Sequence, residues 1–571
     1  MDLHFSPLLL QLAVLAFIGI FAFVSVKKPS LVLRLFPIIL PFYLIKLYLN
    51  LQLISEAIKS HSFSLFINSF FNPLYKEYPV LPPDFGEAKT TAIPTNLLEI
   101  TLIIFLITNI GLVFRGIKIL KKTSLGKYFL ATCYFLLFTI VLSTLFGLNQ
   151  KVSLGIAKSW FFLPILLFFT LLPYLSIPRF REKYLNSIAL GGVVIVALNL
   201  PFLLFYVLTY DHRLSGIYLS PNHLGMAIVP GFLVLVVWLL AERKVASGEE
   251  IGNNGKWKNQ NGKWWCRPWR RLIDCREATL KFFILIFAFL IIYKTTSYST
   301  WLGLIGALFF LLFFLKTNVA QFHGAWNMKH ETSEVKHIAS KKCSSLHALC
   351  FMLHALRFML YALCFIALLF ISQLGNPKLQ SILHGDYYSS FHSRQMIWQS
   401  AIEISRDHFF LGVGPGNFQK AYLDYASKRN EPYIEWAAPE PHNLFLALWT
   451  QVGFLGLLSF VLVIYLSLAK LFSKNQKCKN QNGKLWCRLW RPSIDCREAT
   501  PQFSIFHFLR QRRIRLWRTF SISSLDPLSL WAILYLLYFL LHGLTDTPYF
   551  KNDLSILFWL SIAAFWSKRP K

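Results

Sequence analysis

The sequence predicts an all-α fold, a polytopic helical membrane protein of twelve or thirteen transmembrane helices with one large external loop. Three observations carry this prediction. The chain has 571 residues of which 55% are hydrophobic, and its mean hydropathy of +0.48 is too high for soluble domains joined by linkers. Apolar runs close to the roughly 20 residues needed to cross a bilayer recur from residue 7 to residue 567. The 58 Lys and Arg cluster between these runs, so the formal charge of +31 sets orientation in a membrane and implies no nucleic-acid partner.

The predicted spans lie near 7–26, 31–50, 96–113, 127–147, 155–176, 186–208, 223–241, 279–294, 298–315, 351–372, 443–470, 527–543 and 553–567. The first has no basic stretch before it and no small-residue cleavage site after it, so it reads as a retained helix. Pro37 and Pro41 in the second suggest a re-entrant segment, which would leave twelve spans. Basic connections (Lys27 and Lys28, Arg115 to Lys127, Arg179 to Lys183, 242–278, 316–350, 471–526 and the tail from Lys568) are expected in the cytoplasm. The alternate connections 51–95, 148–154, 209–222, around 295, 373–441 and 544–552 then lie outside. Residues 1–571 form one membrane domain with no sizeable soluble catalytic unit.

Two features look like late insertions. KNQNGKWWCRPWRRLIDCREAT at 258–279 returns as KNQNGKLWCRLWRPSIDCREAT at 479–500, both in predicted cytoplasmic loops, where insertions cost little. Their Cys266, Cys275, Cys487 and Cys496 have the chemistry for zinc, but a tolerated repeat explains them with less. The seven-residue repeat HALCFML-HALRFML-YALCFIA at 347–367 reads as a slippage expansion. Of nine cysteines all but Cys133 and Cys364 fall on the cytoplasmic side, so no structural disulfides are expected.

The longest external connection, 373–441, is too long for a passive link and shows no apolar core of its own. SRQMIWQSAIEISRDHF at 393–409 has helical amphipathic spacing, and the Arg394 guanidinium near its start suits a phosphate. GVGPGNF at 412–418 lacks the Lys-Ser/Thr ending of a nucleotide-binding loop; its glycines make a tight turn or, with Gly414 and Gly416, present N–H groups to an anion. His442 and Asn443 stand at the mouth of the span that follows, where an imidazole is suited to general-base work.

Arg394 with Trp398, GVGPGNF, and HNLFLALWTQVGFLGLLSF together resemble the signature region of the O-antigen ligase and Wzy-type polymerase superfamily. HRLSGIYLSPNHLGMAIVP at 212–230 and HGLTDTPYFKNDLSILFWL at 542–560 extend the resemblance to most of the chain apart from the repeats. One departure stands at Thr296-Ser297-Tyr298-Ser299-Thr300-Trp301, where many members carry an arginine. What the resemblance implies is a metal-independent glycosyltransferase of the plasma or inner membrane, active in polysaccharide or lipopolysaccharide biosynthesis. It would move a glycan from a polyprenyl-diphosphate (undecaprenyl diphosphate) donor to a hydroxyl on a glycan, lipid or protein acceptor at the external face, without a cofactor. Arg213 and Arg394 are expected to bind the diphosphate and His442 to act as the base. Gly414, Gly416, Asn443, Asn222 and Asp546 are expected to help bind substrate. A transporter or flippase for lipid-linked glycans is the competing class, but polar residues within spans are few (Arg34, Lys46, Glu99, Arg357). A non-catalytic member is a further alternative.

Overall fold

A computed structural model describes residues 7–50, 92–209, 211–218, 220–246, 266–327, 368, 371–428, 435, 438–473 and 526–567. The span expected at 351–372, the heptad patch, Arg357 and the repeat copy at 479–500 lie wholly or mostly outside these residues. In the first copy the described backbone begins at Cys266, already helical; the side chains of Cys266 and Cys275 are likewise outside the description.

The fold is all-α and polytopic. Its helices are α1 Pro7–Lys27, α2 Pro29–Ile39, α3 Leu97–Thr108, α4 Ile110–Lys121, α5 Ser124–Leu145, α6 Gln150–Ala157, α7 Leu163–Leu175, α8 Pro178–Leu204, α9 Pro221–Ala246, α10 Cys266–Lys294, α11 Tyr298–Asn327, α12 Pro377–Leu383, α13 Ser390–Asp407, α14 Phe418–Ser427, α15 Leu444–Ser473, α16 Pro527–His542 and α17 Asn552–Trp566. A π turn at Lys158–Phe162 joins α6 to α7. Among the described residues five helices are long and apolar enough to cross a membrane, and α3 with α4 would make a sixth. Shorter apolar helices at Val14–Lys27, Pro29–Leu44, Tyr298–Leu312, Pro527–His542 and Asn552–Trp566 coincide with other predicted spans.

Three expectations need correction. The run 31–50 is helical only to Leu44; the chain then turns extended as β1 Lys46–Asn50, which pairs antiparallel with β2 Ala92–Asn96 in the register Lys46↔Asn96. Pro37 lies inside α2 and Pro41 in the 3-10 turn Leu40–Leu44 that follows it, and neither supplies an N–H to the helix. The run 96–113 bends by 76° between α3 and α4. Asn109 occupies the break, and its Nδ2 donates to the carbonyls of Ser25 at 3.0 Å and Phe105 at 3.2 Å. The connection read as basic loop from Arg115 is therefore helical through Lys121 and packs along α7.

The last helix is the central one: every residue from Asp553 to Trp566 is buried. Trp559, Phe558, Phe539, Phe460 and Tyr549 interlock around it, so a long aromatic core runs along α17. At one end Arg181 of α8 pairs with Asp526, the N-cap of α16, and reaches Ser567 after α17. At the other end the α16–α17 connection enters the middle of the bundle, which is why Asp546 is buried although it lies in a loop.

Candidate functional site

At the Asp546 end of the bundle, connections distant in sequence converge. Asp546 sits at the centre. Its Oδ2 accepts from Asn222 Nδ2 at 2.7 Å, its Oδ1 from the Thr547 N–H at 2.9 Å, and His442 Nδ1 faces Oδ1 at 3.3 Å. Asn222, in the first turn of α9, turns its Oδ1 to Arg213 Nη2 at 2.7 Å. On the far side of His442, Nε2 lies 3.9 Å from Glu435 Oε1, and Glu435 Oε2 accepts from Ser393 Oγ at 2.9 Å. Ser393 precedes Arg394 on α13. An arc from Arg213 through Asn222, Asp546, His442 and Glu435 thus ends beside Arg394, and five residues singled out in sequence stand on one surface.

Local backbone explains how each is held. The last carbonyls of α10 have no intrahelical partners. They accept from the 209–220 connection, Lys294 O from the Leu214 N–H at 2.9 Å and Thr295 O from Arg213 Nε at 2.8 Å. His442 has φ of +48°, a left-handed conformation that a non-glycine residue holds only where its surroundings fix it. Fixing it are Trp398 Nε1, which donates to Pro441 O at 2.8 Å, and the Leu444 N–H, which donates to Gly543 O at 2.8 Å.

Asn443 is drawn into that fixation. Its Oδ1 accepts the N–H groups of Phe445 and Leu446 at 3.0 Å and its Nδ2 donates to Leu544 O at 2.8 Å. It caps α15 and ties it to the Asp546 loop, so its oxygen and one of its two N–H groups serve the backbone and the other N–H is left for the substrate contact expected of it.

The glycine-rich segment takes the first of the two roles expected of it, a tight turn, and also serves the backbone. Gly453 breaks α15 with φ of +76° and ψ of 178°, and the freed carbonyls of Thr450 and Gln451 accept from the Val413 N–H at 2.8 Å and the Gly414 N–H at 3.1 Å. The Gly416 N–H donates to Gln451 Oε1 at 2.6 Å. These N–H groups repair a broken membrane helix instead of forming an anion nest. The glycines are required because φ is +92° at Gly414 and +80° at Gly416, and a Cβ on either would press on Ser153 or Ile156. The loop also has its own small core, contrary to expectation: Ile397, Ala401, Ile404, Val413, Phe418, Ala421, Tyr422 and Ala438 pack together.

The site is electrically divided. Burial would lower the His442 pKa, but Asp546 and Glu435 outweigh it and hold the ring up at about 9. Burial would likewise raise Asp546, yet His442, His542 and Arg394 keep it well below the usual carboxylate range. Glu435 is lowered despite partial burial by His442, Ser393 and Arg394. At neutral pH the arc is therefore two carboxylates around an imidazolium, flanked by Arg213 and Arg394. Arg394 is half-buried, and among the described residues no hydrogen bond or ion pair engages its guanidinium.

Sequence reading missed Glu435, Ser393 and Lys378, whose relevance rests on contacts between distant segments. It also missed a buried pair beside the arc. His223 Nε2 lies 3.0 Å from Asp553 Oδ2, with Tyr43 Oη at 3.1 Å from Nδ1; an imidazole and a carboxylate inside apolar spans were the available signal.

Fold and site define a multi-pass membrane protein with a cationic, imidazole-containing site at one end of its helical bundle. Residues 283–461 match the family model described as O-antigen ligase, so that segment of this multi-pass membrane protein is similar to the O-antigen ligases. The match spans Lys378, Arg394, Glu435 and His442, whereas Arg213, Asn222 and Asp546 lie outside it. No curated protein matches the chain.

Proposed function

We propose that the chain transfers a glycan from a polyprenyl-diphosphate carrier to an acceptor hydroxyl at the external face of the plasma or inner membrane. The observation that carries this reading is the convergence of Arg213, Arg394 and protonated His442 around one surface, with Arg394 unpaired among the described residues. A diphosphate satisfies such a surface, and guanidinium forks suit its oxygens. O-antigen ligase relatedness of residues 283–461 supports glycan transfer in general.

In this scheme the acceptor oxygen forms a bond to the anomeric carbon. The bond from that carbon to the diphosphate oxygen breaks, and its electron pair leaves with the polyprenyl diphosphate. Arg213, Arg394 and His442 offset the charge that develops on the leaving group. The role expected of His442 changes, because a ring already protonated at neutral pH has no lone pair for the hydroxyl proton. Glu435, 3.9 Å from His442 Nε2, is the proposed proton acceptor, as carboxylates are when an alcohol or water attacks a sugar carbon. Asp546 and Asn222 are positioning residues between the cations. No divalent ion is required in this scheme, because fixed cations supply the positive charge and Asp546 and Asp211 are already engaged with Asn222 and Arg213.

Purified protein in lipid vesicles, given polyprenyl-diphosphate glycan, a hydroxyl acceptor and EDTA without nucleotide, tests the reading. Glycosylated acceptor and free polyprenyl diphosphate should accumulate together. Glycolipid crossing the bilayer with neither product formed would establish the transporter reading instead. Glu99, one of the few charged residues within the predicted spans, is occupied by Lys158 at 2.8 Å and by Asn552 Nδ2 at 2.8 Å.

A further inference from the structure

Lys378, at the second position of α12, extends its Nζ to 3.5 Å from Thr296 O and to 5.0 Å from the centre of the Tyr298 ring. Arg213 Nε donates to the adjacent carbonyl, Thr295 O. An ammonium and a guanidinium are therefore anchored on consecutive carbonyls of the α10–α11 turn, in which Thr296 has φ of +44°. Among the described residues no ion pair neutralises Lys378, the nearby carboxylates Asp211 and Asp546 being engaged with Arg213, Asn222 and His442. Burial and the charges of Arg213 and Arg394 push its pKa down to about 7, against the weaker pull of Asp211 and Asp546. Packing a third cation beside two others costs free energy in the empty protein, and a multiply charged anion bound among them removes that cost.

We infer that Lys378 is a third ligand of the donor's diphosphate, held by the Thr296 carbonyl and the Tyr298 ring so that it shares with Arg213 and Arg394 an anion carrying two phosphates. This rests on the transfer reading above. A lysine that merely caps the end of α10 would look similar in position, since cations are favoured at helix C-termini, but it would contribute to stability and not to recognition of the ligand. The third cation bears on specificity. Two guanidinium groups suffice for one phosphate, whereas a third charge on the neighbouring carbonyl selects for a second phosphate.

The test is equilibrium binding of a polyprenyl diphosphate and of the matching monophosphate to the purified full-length protein, wild type, Lys378→Met and Lys378→Arg, with thermal melting of each. Lys378→Met should lose roughly tenfold or more in diphosphate affinity, as for a lost charge-assisted contact, change little toward the monophosphate, and melt with the wild type. Lys378→Arg should restore the preference for diphosphate. If Lys378→Met does not fold, Lys378→Gln carries the same expectation. Diphosphate affinity unchanged in a folded Met or Gln variant overturns the role of Lys378 while leaving the transfer reading intact. A wild type that binds neither lipid refutes both.

Discussion

His442 Nδ1 and Asp546 Oδ1 stand 3.3 Å apart across 104 residues of sequence, and that pair joins the α13–α15 segment to the centre of the bundle. Because Asp546 is buried at the head of the central helix, it fixes the ring on one side, and Nε2 is left facing Glu435.

The first prediction concerns pH. The imidazolium of His442 is lost as pH rises through about 9. At saturating donor, where the bound diphosphate keeps Lys378 charged, transfer should be level from about pH 6.5 to 8 and fall as pH approaches and passes 9. Were His442 the base, the rate would climb over the same range. Asp546→Asn removes one of the carboxylates that retain the proton, so the falling limb should move to lower pH, with roughly tenfold loss at pH 8. Rate–pH profiles of the two proteins decide the matter.

The same pair has a stability signature. A histidine whose pKa is raised on folding from 6.5 to about 9 contributes stability in full below the unfolded value and loses it as pH rises through the folded one. The melting temperature of the wild type should therefore decline between pH 7 and 10, and His442→Gln should flatten that part of the decline. Parallel slopes would show that the ring is not held protonated.

The break in α15 is testable by one methyl group. Gly453 has φ of +76°, and a Cβ there would fall 2.1 Å from Phe410 O. Gly453→Ala should destabilise by about 2 kcal/mol or more, whereas Gly155→Ala, with nothing within 4 Å of its Cβ, should be close to neutral. Thermal melts in detergent compare them.

Topology and the repeats can be examined together. Tyr388, on the connection between α12 and α13, is 80% exposed, so Tyr388→Cys should react with an impermeant maleimide in intact cells while Cys487 does not. Deleting 479–500 should leave transfer unchanged. The first copy is different: α10 is helical from Cys266, so removing 258–279 would also remove several turns of that helix, and loss of folded protein is expected.

The helices were legible because apolar runs of membrane length leave few alternatives. Where the sequence misled, at 31–50 and 96–113, proline and Asn109 end a helix inside an apolar run, and hydropathy does not register the break. Residue type and position near span ends singled out Arg213, Asn222, Arg394, His442 and Asp546, and the structure brings these five together. The partners of Gly414, Gly416 and Asn443, namely Gln451 and Leu544, were not legible, because they are set by a helix break and a loop docking that no local pattern encodes. Lys378 and Glu435 stayed hidden for the same reason. The turn at 295–297 has no cation of its own, and the two it holds, Arg213 and Lys378, come from 82 residues before Thr295 and 82 residues after Thr296.

The most direct measurement is donor binding and turnover in the same preparations of wild type, His442→Ala and Arg394→Lys, in lipid with EDTA. Removal of His442 should reduce turnover by roughly a hundredfold or more, within the range seen when a group acting on the transition state is lost, and shift donor affinity far less. Arg394→Lys should weaken donor affinity despite conserving charge, since an ammonium lacks the planar fork. Wild-type turnover in His442→Ala, or transfer abolished by EDTA and restored by a divalent ion, would contradict the account.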